Sequence, residues 1–203
     1  MLELQQRKLQ REEAILSSLN KLDYLSRSQI QRLHGLAGDR NARRILANMK
    51  PYLASFRGDT GESVYYLNKA GRERVNAVNV RQKSAQVGHY IMRNDAYIHF
   101  GAPAEWKNEA KITVEGVVTV IADAYFRHNQ RRCFLEVDHT QHMSKNREKV
   151  DRYRKMKDAG VFQEKYGYYP KLIWITLTEA RRAQISELCE GLDSAVYVWS
   201  DIK

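Results

Sequence analysis

From Val117 to Asp138 the chain reads VVTVIADAYFRHNQRRCFLEVD, two β-rich arms around a short polar break, and no other stretch constrains the fold as much. Val117–Phe126 is rich in β-branched and aromatic residues, His128-Asn129-Gln130 reverses the chain, and Arg132–Val137 returns, which predicts a β-hairpin. Carboxylates stand where such arms would bury apolar groups: Asp123 in the first, Glu136 and Asp138 at the end of the second. Strand side chains alternate, so Glu136 and Asp138 share a face, and a hairpin closed near Asn129 and Gln130 brings Asp123 beside Glu136. Three carboxylates on one sheet edge are costly unless their charge is met. Magnesium or manganese would meet it, because both prefer hard oxygen ligands, and Asp123, Glu136 and the carbonyl of Val137 are the expected metal ligands. The plainer alternative is three exposed acids paired with Arg127, Arg131 and Arg132.

The next stretch predicts a helix over Ser144–Ala159, on which Lys149 and Tyr153, four apart, share one face. Placed over the carboxylate edge, that face adds a cation and a phenol. Carboxylates that hold metal, with a lysine that steadies developing negative charge, suit metal-dependent phosphodiester hydrolysis. The expected catalytic residues are therefore Asp123, Glu136, Asp138, Lys149 and Tyr153. A solvated basic helix face is the alternative for Lys149 and Tyr153, since KNREKVDRYRKMK is basic nearly throughout.

An Asp, a turn, a Glu-x-x on the next strand and then a helix resemble the PD-(D/E)xK nuclease superfamily. The lysine expected two residues after the glutamate is here Asp138, and Lys149 on the following helix is the candidate to replace it. ADAYF, FLEVDHT and KVDRY, with the N-terminal half, resemble more narrowly the replication-relaxation family of plasmid and mobile-element proteins. That resemblance implies a role in replication or mobilisation of such an element.

The N-terminal half supplies a DNA-binding expectation. Residues 4–19 predict an amphipathic helix, Ser26 caps a second one that stops at Gly35, and Arg40–Lys50 forms a third ended by Pro51. Tyr52–Arg57 and Ser63–Leu67 then read as strands around Gly58-Asp59-Thr60-Gly61, followed by a short helix from Lys69 to Val75. Three helices and a hairpin are the order of a winged helix-turn-helix. The third helix would face the major groove with Arg40, Asn41, Arg43, Arg44 and Lys50, and Arg57 on the wing would meet phosphate. Ile45, Leu46 and Met49 would face the core. Charge agrees: of a net +10, residues 1–84 hold 16 Lys and Arg against 8 Asp and Glu, and the remainder 18 against 16.

Polar Asn76–Val87 is the expected linker between a winged helix domain at residues 1–80 and a nuclease-like domain at 85–203. The second domain reads as a helix over Gly88–Phe100, a strand over Trp106–Val114, the hairpin, the helix, a buried strand at Lys171–Leu177, a helix at Glu179–Cys189 and a strand at Ala195–Trp199. That sequence contains the αβββαβ core of restriction-endonuclease-like folds, and the class is mixed α+β or α/β. Glu109 reads as a surface ion-pair residue rather than a fourth ligand, and His139 and His142 as loop histidines rather than zinc ligands. Cys133 and Cys189 are far apart and read as reduced, buried thiols of a cytoplasmic protein. No apolar run reaches the length of a membrane span. The expected partner is DNA, with a second copy of the chain as a further candidate; a non-catalytic DNA-binding regulator is the alternative to the nuclease.

Overall fold

The computed structural model describes residues 2–203 and divides into two compact units, one ending at Asn94 and the other beginning at Asp95. The fold is mixed α+β, with a three-stranded sheet in the first unit and a five-stranded sheet in the second. Among the described residues no helix is long and apolar enough to cross a membrane.

In the first unit, α1 (Leu2–Leu22) leads through β1 (Leu25–Ser26) into α2 (Arg27–Leu33) and α3 (Asp39–Asn48). The chain continues through the antiparallel strands β2 (Leu53–Arg57) and β3 (Ser63–Leu67) to α4 (Lys69–Arg74). The two-residue β1, which sequence periodicity is too short to reveal, pairs with β3, giving the order β1-β3-β2. Local signals set the helix starts. Ser26 Oγ accepts from Gln29 N–H while the Gln29 side chain accepts from Ser26 N–H, a capping box, and Asn68 accepts from Gly71 N–H at the start of α4. Ile15, Leu16 and Leu19 of α1, Ile30 of α2, and Ala42, Ile45 and Leu46 of α3 are buried. Their spacing is that of one apolar face per helix.

The stretch read as a linker is fastened within this unit. Arg81 pairs with Asp23 at 2.7 Å, and Tyr24 Oη donates to the carbonyl of Gln82. The buried Arg93 meets Asp23 at 3.1 Å, and Asn94 donates to the carbonyls of Leu22 and Tyr24. Arg93 and Asn94 belong to α5 (Val87–His99), and the division between the units falls inside that helix.

In the second unit β4 (Trp106–Val114), β5 (Val118–His128) and β6 (Arg131–Asp138) form an antiparallel meander. Next come α6 (Met143–Asp158), α7 (Val161–Tyr166), β7 (Lys171–Thr176), α8 (Glu179–Leu188) and β8 (Ser194–Val198). Strands β6, β7 and β8 are parallel, so the sheet runs β4-β5-β6-β7-β8. Helix α7 is an element that the sequence reading lacks: VFQEKY is too short to show a helical period, and it forms between two left-handed glycines, Gly160 and Gly167. The core beneath α6, α7 and α8 gathers Phe134, Val150, Tyr153, Met156, Phe162, Leu172, Trp174 and Ile185. Cys133 and Cys189 are buried and free.

Gly71 holds α4 against the hairpin, because a Cβ there would lie 2.1 Å from the carbonyl oxygen of Tyr52. Gly71→Ala should therefore lower the unfolding free energy by about 2 kcal/mol, the usual cost of forcing an extra carbon into a packed site. Chemical denaturation with an unchanged midpoint would show that α4 shifts without strain.

Candidate functional site

The tight turn at Asn129 and Gln130, with φ of 47° and 62°, sets the register of β5 against β6. Arg127 faces Arg132, Tyr125 faces Phe134 and Ala124 faces Leu135; one step further, Asp123 lies level with Glu136. There the backbone ladder stops, and Val137 N–H donates instead to Asp123 Oδ2 at 2.7 Å. On the other flank the pairs Asn108–Ala124 and Ala110–Ala122 bracket Glu109, whose φ is 47°. The strand exchanges its two faces at this level. Phe126 stacks with Trp106 and Phe100, whereas Val120 and Ala122, of the same parity, join the core under α6. A local break in strand pairing that re-aims a side chain is a common device beside functional sites.

Glu136 has no exposed surface and is held by α6. Lys149 Nζ donates to its Oε2 and Tyr153 Oη to its Oε1, both at 2.6 Å. The i,i+4 spacing puts both donors on one helix face, and Val150 and Met156, also buried, seat that helix on the sheet. Burial, then the charge of Asp123, push Glu136 up to about 8 against the pull of Lys149 and Tyr153. Burial opposes the charge on Lys149, but Glu136 and Asp123 outweigh it and hold the ammonium above its usual range. Burial, then the charge of Glu136, raise the Tyr153 phenol well above its usual value, so it acts as a donor.

Asp138 does not join this group. Its carboxylate is gripped by Arg181 of α8 through Nε and Nη2, and accepts from Asn146 of α6 at 2.9 Å and Thr176 of β7 at 3.0 Å. Burial works against its ionisation, yet these hydrogen bonds win and its pKa is lowered. The expected cluster of three carboxylates is thus corrected to Asp123 with Glu136, plus a separate Asp138–Arg181 pair. Among the described residues no group of three His, Cys, Asp or Glu side chains is placed to hold a metal. Arg127 and Arg132 reach Glu105, and Arg131 reaches Asp193, rather than the three acids. The Val137 carbonyl, an expected ligand, accepts from Gln141 Nε2 at 3.2 Å. Sequence reasoning missed Arg181 and Asn146; EARR after the capping Thr178 is an ordinary helix start, and only the fold brings it to Asp138.

In the first unit Arg40, Arg43 and Arg44 are exposed along α3, with Asn41 partly so, while Ala42, Ile45, Leu46 and Met49 point inward. Arg44 donates to Asn41 at 2.8 Å, and Arg43 pairs with Asp39, which also meets Arg27. Lys50 lies exposed just past α3 and Arg57 exposed at the end of β2.

Among solved structures the chain is similar to the crystal structure of protein VC1899 from Vibrio cholerae. The identity is 11% and the TM-score 0.35, over 97% of this chain and 50% of that one, so this chain spans about half of it. No curated protein matches the chain. The family model for replication-relaxation matches residues 16–172, which takes in α2, α3, both hairpins and the Asp123–Glu136–Lys149 group. The chain belongs to the replication-relaxation family.

Proposed function

We propose that this protein binds DNA through a winged helix-turn-helix formed by the first unit, and hydrolyses a DNA phosphodiester at a PD-(D/E)xK-type site in the second. The family's link to replication supports a role in copying or mobilising a plasmid or related element. One observation carries the enzymatic part: Asp123 Oδ2 accepts from the N–H of Val137, next to Glu136, and its charge bears on Glu136, whose Oε2 lies 2.6 Å from Lys149 Nζ.

The donor set fits a hard divalent cation. Two carboxylates from adjacent strands offer oxygens, and burial, then the charge of Asp123, raise Glu136 to about 8, a cost that a cation between the two acids would relieve. The Val137 carbonyl has a second lone pair beyond the one that Gln141 uses. Magnesium or manganese held there would make water nucleophilic at neutral pH and draw charge from the phosphoryl oxygens. Lys149 Nζ, three quarters covered yet open on one side, donates to an oxygen of the phosphoryl group as negative charge builds. Tyr153 keeps Glu136 Oε1 in place. Asp138, bound to Arg181, serves as structure around the site.

The complete burial of Glu136, with both oxygens satisfied by protein donors, favours a second reading: a DNA-binding regulator whose nuclease-like domain no longer cleaves. Supercoiled plasmid with manganese or magnesium separates the two. Nicking that Glu136→Gln abolishes is the expected result; mobility shifts without nicking by either protein would leave the regulator.

The acid also gives a stability signature. A carboxyl raised to about 8 when folded keeps its proton through a range where the unfolded chain has lost it, so its contribution is full below about pH 4.5. That contribution drains away as pH rises to about 8. Wild-type melting temperature should therefore fall across this window more steeply than that of Glu136→Gln, and manganese at the upper end should raise only the wild type. Parallel curves with no effect of manganese would rule out a cation at this acid.

On the DNA side, Arg43→Ala and Arg44→Ala should each weaken duplex binding by about 1 to 3 kcal/mol, the range for a base-edge contact. Unchanged affinity in both would remove α3 from the interface.

A further inference from the structure

Arg181 has more donors than its partner needs. Its Nε and Nη2 hold Asp138, and Nη2 also donates to the carbonyl of Gln141 at 2.6 Å. Nη1 makes no hydrogen bond among the described residues, and 26% of the side chain is open to solvent. The guanidinium is therefore fixed at two nitrogens and presents the third.

Four further contacts make that pose rigid. Asp138 is buried and held independently by Asn146 and Thr176, so the anchor does not move with the arginine. Arg181 rises from the first turn of α8, where Thr178 accepts from its backbone N–H. Gln141 Nε2 returns to the Val137 carbonyl, so Arg181 straps the loop between β6 and α6 back onto the end of β6. Asp138 is two residues from Glu136 on the same strand, and its charge reaches Lys149. Lys149 and Arg181, with 24% and 26% of their side chains exposed, thus present cations at the same end of β6.

A guanidinium held in advance loses little entropy when it takes an oxyanion, and its planar fork suits phosphate. We propose that Arg181 is a phosphate-binding residue. Its Nη1 takes a non-bridging oxygen of the DNA backbone beside the carboxylate pair, while Asp138 acts as a positioning residue that keeps the fork aimed. The assignment builds on DNA as the substrate of the second unit, and adds a residue outside the stretch matched by the family model.

Binding without metal tests it, using the full chain and a fluorescently labelled duplex in EDTA across a series of salt concentrations. The double variant Asp138→Asn/Arg181→Met removes one charge of each sign and leaves Asn146 and Thr176 their partner. A phosphate contact predicts that the slope of log affinity against log salt shrinks by about 0.9, the share of one phosphate on a duplex. Affinity should drop about ten-fold, in keeping with one charge-assisted hydrogen bond. Wild-type slope and affinity in a variant that melts like wild type would overturn the assignment and leave Arg181 a loop strap. Should the double variant melt well below wild type, Arg181→Lys takes its place, since it keeps a cation on Asp138 but lacks the fork. Several-fold weaker binding at wild-type melting temperature then supports the assignment, and wild-type binding overturns it. Plasmid that stays supercoiled in the nicking assay leaves this inference standing, and failure here leaves the Asp123–Glu136 centre untouched.

Discussion

A carboxylate with no exposed surface, Glu136, sets the terms for the second unit. An unpaired charge in that position would cost several kcal/mol, enough to threaten a domain of marginal stability. Lys149 and Tyr153 offset part of that cost, and only if α6 lies at one rotation and one height over the sheet. The constraint extends further, because the backbone carbonyl of Tyr153 accepts from Tyr169 Oη at 2.9 Å. A line of polar contacts thus runs from β6 through α6 to the segment that enters β7. The apolar side chains around it supply the larger energy, but they would tolerate small slips that the acid does not.

The second acid on the strand meets the same problem with different chemistry. Asp138 is neutralised by a forked arginine and two neutral donors, and its pKa falls despite burial; at Glu136 burial, then the charge of Asp123, outweigh Lys149 and Tyr153, and its pKa rises. Two carboxyls two residues apart are thereby driven in opposite directions. Such a split separates a group fixed in one charge state from one that can change state or take up a cation. The fixed member braces the loop to α6 through Arg181 and Gln141, and the adjustable member faces Asp123.

What the sequence disclosed, and what it hid, follows from the range of each interaction. The hairpin register was legible because Asn129-Gln130 and strand alternation are local, and they place Asp123 level with Glu136. The inward face of α3 was legible too, since Ala42, Ile45, Leu46 and Met49 repeat with the helical period. Alternation also put Glu136 and Asp138 on one side of the strand correctly. It could not show that Asp138 would be claimed by Arg181, 43 residues later and from a helix with its own reasons to start there. The exchange of faces at Asp123 is hidden for a related reason: it accompanies interrupted pairing on both flanks of β5, and no residue in ADAYF announces it. Helix α7 was hidden because six residues are too few to show a period, and β1 because two residues form a strand only where β3 offers an edge.

Charge is distributed between the units according to how far it has to act. The basic surplus of the first 84 residues stands largely on exposed side chains such as Arg40, Arg43, Arg44 and Arg57, where it is felt over about a Debye length and is weakened by salt. Even there Asp39 tempers it, by holding Arg27 at 2.6 Å and Arg43 at 2.9 Å. Displacing the exposed Arg43–Asp39 pair costs little, so Arg43 stays available to a polyanion. In the second unit the balance is nearly even, and the charges that count are buried or half-buried and paired at hydrogen-bond distance. Salt reaches these poorly, and proton concentration reaches them well. On the proposed function, ionic strength would therefore govern how tightly the first unit holds DNA, whereas pH and divalent cation would govern what Glu136 can do.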